Sequence, residues 1–279
     1  MADDPNAGER EAWNGEGGQR WVADADRRDR VLQPVGDELL AAAALRPGER
    51  VLDIGCGCGV TTLAAAEAVV HSRVTGLDIS DVMLDEARSR LAANDTTNVD
   101  FVQADAQTVG LEQLEADVVL SRFGTMFFAD DAAAFANLAG ALTDGGRLCI
   151  ATWRPLGDNE WLMVPGMVLA EAGALPDVES GGPGMFAHAD ERRLAEVLST
   201  AGFHDVNSTA VDVQFRLGAG SGDAVDYLMS TGVGRRALEL VPDADHERVL
   251  ADVAAVLDTH VVDDELRLGG AIWITTASR

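Results

Sequence analysis

The stretch Val51-Leu52-Asp53-Ile54-Gly55-Cys56-Gly57-Cys58-Gly59 constrains the chain more than any other, because an apolar run breaks into alternating glycines and enters a helical pattern at Val60. Such a stretch reads as strand, tight loop, helix. Glycines at alternate positions let the backbone take left-handed angles and remove the Cβ atoms that would separate it from a ligand. The free N–H groups opening the next helix favour a negative or hydrogen-bond-accepting part of that ligand. Taken alone the loop fits an empty tight turn as well as a nucleotide or a carboxylate, so its surroundings decide.

Those surroundings repeat one unit. Helical spacing over 31–45 ends before Pro47-Gly48 and delivers the chain into the first strand at Val51. Helical patterns over 60–70, 81–93 and 131–142 then alternate with apolar strands at 73–78, 99–103, 116–120 and 147–153. Five strand-helix repeats demand a parallel sheet with right-handed crossovers. Beyond it, 154–187 reads as a partly helical insertion carrying Pro155, Pro165, Pro176 and Pro183, with a glycine cluster near Gly181. A helix over 190–201, a long strand over 206–217, two helical patterns in 223–262 separated near Pro242, and a last strand over 271–276 complete the chain. Residues 1–30 have the composition of a loose tail, yet Trp13 and Trp21 predict that this arm folds back, over the core or over a ligand.

Asp78 closes the second strand roughly twenty residues past the glycine loop, the spacing at which a carboxylate accepts both hydroxyl protons of a ribose. Asp105 follows the third strand on the same sheet edge, within reach of the exocyclic amine of an adenine. The loop Ser121-Arg122-Phe123-Gly124-Thr125-Met126-Phe127-Phe128 follows the fourth strand, where a reacting substrate would meet a cofactor.

Composition narrows the rest. All 21 basic residues are arginine, which excludes Schiff-base chemistry and the phosphate-loop lysine. A net charge of −26 opposes nucleic-acid and anionic-membrane partners. The absence of a long apolar run and the polar first thirty residues predict neither a membrane-spanning helix nor a secretory signal. Three cysteines give neither a disulfide framework nor a zinc pattern, so a cytoplasmic protein without a metal is expected.

Asp53 with Gly55, Gly57 and Gly59, then Asp78, Asp105-Ala106 and Gly145-Gly146-Arg147, resemble the class I S-adenosylmethionine-dependent methyltransferases over roughly residues 35–155. The 121–128 loop and the early Trp13-Asn14-Gly15 resemble the type 11 bacterial enzymes, near quinone C-methyltransferases and actinobacterial natural-product methyltransferases. The resemblance implies an α/β, Rossmann-like seven-stranded sheet of order 3-2-1-4-5-7-6, its last strand antiparallel, with helical lid insertions. It also implies three regions: an N-terminal lid arm and helix over 1–45, a cofactor-binding core over 46–155, and a remainder over 156–279. The remainder would supply strands 206–217 and 271–276 and lid insertions at 156–187 and 223–262.

By the same resemblance Asp53 and the three glycines hold the methionyl part of S-adenosylmethionine, Asp78 the ribose, and Asp105 with Ala106 the adenine. Ile79 and Met83 sandwich the base, and Ser121 lines the methionyl end; S-adenosylhomocysteine is the product. For the acceptor end, His188 is the first candidate base, Arg122 and Arg154 are candidate anion ligands, and Trp13, Trp21, Phe123, Met126, Phe127, Trp153 and Trp161 are candidate walls. The expected partner is a small organic molecule, methylated on oxygen ahead of carbon or nitrogen; a homodimer is left open. Two alternatives stand: a nicotinamide-dependent oxidoreductase, disfavoured by Val60 at the place of the third glycine, and a non-catalytic S-adenosylmethionine-binding protein.

Overall fold

The computed structural model describes residues 4–174 and 182–279. Three helices, α1 (Ala7–Asn14), α2 (Glu16–Ala23) and α3 (Ala25–Ala43), precede β1 (Val51–Ile54). The alternation continues through α4 (Val60–Ala68), β2 (Val74–Asp78), α5 (Asp81–Ala92), β3 (Val99–Gln103), β4 (Ala116–Arg122), α6 (Asp131–Ala141) and β5 (Leu142–Trp153). Then come α7 (Glu160–Glu171), α8 (Glu191–Thr200), β6 (His204–Gly218), α9 (Ser221–Ser230), α10 (Gly232–Glu239), α11 (His246–Leu257), β7 (Val261–Val262) and β8 (Glu265–Ser278).

The strands form one sheet of order β3-β2-β1-β4-β5-β8-β6, with β7 paired to β8 outside that path. β1 to β5 run parallel, and β8 is antiparallel to both β5 and β6. The sheet therefore has eight strands where seven were expected, and the extra one is the two-residue β7, too short to leave a pattern in the sequence. The order of the other seven matches the expectation.

Alternation along the pleat separates two apolar layers. Val51, Val118, Leu120, Cys149, Ala151 and Trp153 face the layer containing α3 and α4. Leu52, Ile54, Val119, Leu148 and Ile150 face the layer containing α6 and α8. Covering on both faces explains why β1 and β4 read as nearly continuous apolar runs rather than alternating ones.

Several element bounds differ from the sequence reading for local reasons. α3 begins well before Val31, because the charges of residues 24–30 mask a stripe that continues backwards through Arg28 to Ala25. The 223–262 region folds as three helices rather than two, since Thr231 caps a new helix, its side chain accepting from Gly234 N–H. Of the expected 156–187 insertion, 160–171 is helical, while 175–181, including Pro176 and Gly181, lie outside the described residues, as do 1–3 of the N-terminal arm. No helix of the described residues is long and apolar enough to cross a membrane.

Candidate functional site

The parallel strands present their C-terminal ends along one edge, and there a crevice of about 680 Å³ opens beneath α1 and α2. Pockets of several hundred Å³ suit a drug-sized ligand. One end is built from the strand ends. Gly55 leaves β1 with φ +65°, and a Cβ on it would lie 2.6 Å from Gly124 Cα, so two bare backbones meet there. Ser121 fastens this meeting: its Oγ donates to Ile54 O (2.7 Å) and accepts from Gly124 N–H (3.1 Å).

Asp78 is buried at the end of β2, its two carboxylate oxygens accepting from Gly57 N–H and Ser80 N–H, each at 2.8 Å. Burial raises its pKa, opposed by those backbone bonds. Asp105 accepts from Asn6 Nδ2 (2.9 Å) and from the Gln107 N–H (2.8 Å). Ile79, Met83 and Ala106 line the same end. Asp53 lies beneath the loop, fully buried: its Oδ2 accepts from Thr62 Oγ1 (2.7 Å), its Oδ1 has no partner, and burial pushes its carboxyl up to about 7.

Aromatic rings form the other end. Phe123 stacks on Trp153 at 4.2 Å, Trp153 meets Trp161 at 5.4 Å, and Trp13 packs edge-on against both Trp21 (5.8 Å) and Phe127 (5.3 Å). Phe123 holds a φ of +68°, uncommon for a bulky residue, and its N–H donates to Ala151 O, which fixes the ring on Trp153. Met126, Arg122, Arg28 and Tyr227 complete this end.

Several sequence-predicted residues sit elsewhere. Gly57 and Gly59 do not line the crevice; the space a side chain would take is filled by the Met83 methyl group and the Phe101 ring. Asp53 and Ser121 brace the loops from below. His188 is packed away from the crevice: one ring nitrogen is 2.9 Å from Thr125 O, and the ring lies against Phe135. Burial pushes its pKa down against the pull of Asp131, and the ring nitrogen that faces Thr125 O donates to that carbonyl. Arg154 also leaves the crevice, held by Asp212 (2.6 Å) and Asp158 (2.9 Å) over Trp273. Arg122 does line it, paired with Asp29 at 3.4 Å.

Asn6, Glu9, Arg20, Arg28, Arg235 and Arg236 are among the lining residues that carried no role in the sequence reading. Extending the α3 stripe back by one turn would have placed Arg28 on its buried face.

Residues 51–146 match the family model described as "Methyltransferase domain". Over 120 residues the chain is 35% identical to aklanonic acid methyltransferase DauC of Streptomyces sp. (strain C5), covering 43% of this chain and 54% of that protein. It is 30% identical over 181 residues to the ubiquinone/menaquinone biosynthesis C-methyltransferase UbiE of Shewanella piezotolerans, covering 61% of this chain and 72% of that one. The chain belongs to the class I S-adenosylmethionine-dependent methyltransferases. The chain spans about half the length of several of the curated proteins it matches. The fold agrees with a crystal structure of a SAM-dependent methyltransferase from Aquifex aeolicus, at a TM-score of 0.53 and 13% identity over 91% of this chain and 96% of that one.

The crevice fits the cofactor of these methyltransferases. A side-chain-free backbone at Gly55 and Gly124 and two carboxylates, Asp78 and Asp105, at successive strand ends suit an adenosyl group joined to an amino acid.

Proposed function

We propose that this chain transfers a methyl group from S-adenosylmethionine to a small, flat, largely apolar molecule, with oxygen favoured over carbon or nitrogen as the acceptor. One observation carries the reading: a single crevice is lined both by acids near the glycine loop and by a set of aromatic rings. Each Asp78 oxygen takes one backbone N–H and keeps a lone pair, so the ribose hydroxyls find acceptors there. Asp105 and Ala106 take the adenine edge, Ile79 and Met83 its faces, and the Gly55 backbone the methionyl part. The bound cofactor supplies an electrophilic methyl group on sulfur. The protein aligns the acceptor with it and keeps solvent away, through Trp13, Phe123, Met126 and Phe127.

An acceptor that arrives ionised suits this site best. Of the crevice carboxylates nearest the lid, Glu9 accepts from Trp13 Nε1 (3.0 Å) and Glu16 pairs with Arg20 (2.7 Å). Burial lifts the Tyr227 phenol to about 12, so it stays neutral and serves poorly as a base. The likeness to UbiE, named as a C-methyltransferase, favours carbon as the second reading.

Calorimetry tests the proposal: S-adenosylhomocysteine binds and NADH does not, and the reverse pattern overturns it. Asp78→Ala weakens S-adenosylhomocysteine binding by roughly 1–3 kcal/mol, the cost of leaving hydroxyls unpaired. An unchanged dissociation constant removes Asp78 from the ribose. If labelled methyl groups reach no member of a panel of phenols, enols and organic acids while cofactor binding stays intact, a non-catalytic binding protein is favoured instead.

A further inference from the structure

Arg28 is only 5% exposed, yet no carboxylate lies within 4.0 Å of it among the described residues. Its Nη2 donates to Ser230 O (3.2 Å), its Nε is buried without an acceptor, and its guanidinium lies 4.8 Å over the Trp21 ring. Of the other arginines that line the crevice, Arg20 pairs with Glu16 (2.7 Å), Arg122 with Asp29 (3.4 Å) and Arg235 with Glu239 (2.5 Å), while Arg236, which has no ion pair among the described residues, is exposed where Arg28 is buried. Acids outnumber arginines 47 to 21 in this chain, so a partner for Arg28 was available in composition and is missing in structure. Removing a guanidinium from water without a counter-ion is unfavourable, and an anion brought by a ligand offsets it.

We propose that Arg28 is the receptor for an anionic oxygen group on the substrate, a carboxylate or an equivalent ionised enol or phenol borne by a planar aromatic body. Arg28 lines the crevice together with Trp21, over which its guanidinium lies, and with Trp161 and Tyr227. Its planar fork matches a carboxylate in two parallel bonds. Trp161, which also lines the crevice, has its Nε1 buried without a partner. The proposal rests on the methyl-transfer reading for its term "substrate", and its test is separable from that reading.

Protein saturated with S-adenosylhomocysteine is titrated with benzoate, naphthoate and anthraquinone carboxylate, each against its neutral carboxamide. At least one acid binds roughly ten- to a hundredfold tighter than its amide, the range of a charge-assisted hydrogen bond. Arg28→Gln abolishes the preference, and Arg28→Lys, which keeps the charge, retains it in part. Equal binding of acid and amide, failure of every acid to bind, or a preference that survives Arg28→Gln overturns the proposal. Loss of S-adenosylhomocysteine affinity in Arg28→Gln with the preference intact also overturns it and assigns Arg28 to the cofactor's own carboxylate. If the wild-type protein binds no S-adenosylhomocysteine, the methyl-transfer reading fails, and the acid–amide comparison on the cofactor-free protein still decides Arg28.

Discussion

Gly124 and Asp53 show how single residues set the shape of the crevice, one from its wall and the other from beneath it. Gly124 has an ordinary φ of −76°, so conformational freedom is not its reason for being glycine; space is. A Cβ there would stand 2.5 Å from Ile54 O and 2.7 Å from Gly55 Cα, against backbone that has no rotamer to yield. Gly124→Ala is expected to cost about 1–3 kcal/mol in urea unfolding, the range of overpacking, and to weaken S-adenosylhomocysteine binding. Asp53 carries a stability signature in pH. Its folded pKa of about 7 exceeds the ordinary 3.8, so the native state holds the proton more tightly than the unfolded chain does. Its contribution is therefore complete below 3.8, falls as pH rises through that window and levels off above about 7. Asp53→Asn removes the titration while leaving Thr62 an acceptor. The stability of the variant relative to wild type should grow across that window, and a flat difference would place the Asp53 pKa near its ordinary value.

At the scale of elements, the pair α1–α2 lines one side of the crevice. Gly18 lets α2 fold back on α1, since a Cβ there would fall 1.9 Å from Trp13 O. That same carbonyl accepts from Ser80 Oγ, and Asn14 bonds both Ile79 O (3.1 Å) and Asp81 N–H (2.8 Å). Asn6 reaches Asp105 and the Ala129 N–H (3.0 Å). A few polar clasps thus hold a segment whose α1 buries no residue fully, the profile of a unit that opens locally. Asn14→Ala should lower amide-exchange protection over residues 7–23 by about 1–2 kcal/mol with little change in the melting temperature. Gly18→Ala should do the same more severely and weaken cofactor binding. Protection unchanged in both would mean that the aromatic contacts alone hold the segment. The sequence showed that Trp13 and Trp21 must be covered, and it left open whether they cover core or ligand.

Over the whole molecule, a net charge of −26 spreads repulsion that no single pair relieves. Lengthening the Debye distance from about 3 Å in 1 M salt to about 30 Å in 0.01 M salt should lower the melting temperature, and a flat or opposite dependence would mean that screened surface ion pairs outweigh the repulsion. The order of the seven main strands was implied only by the family resemblance, whereas the glycine loop, the acids at the ends of β2 and β3, and the aromatic loop after β4 were all legible before any coordinate. Each depends on local periodicity or on spacing within one strand-helix unit, and a doubly wound sheet converts that spacing directly into position. Where Arg28, Asn6 and Tyr227 meet the crevice, and why His188 and Arg154 do not, was decided only in three dimensions. Those placements come from contacts between segments far apart in the chain, such as Arg28 with Ser230, Asn6 with Asp105 and His188 with Thr125. A residue's type gives the chemistry it has available, and only its packed neighbours determine whether that chemistry is already used.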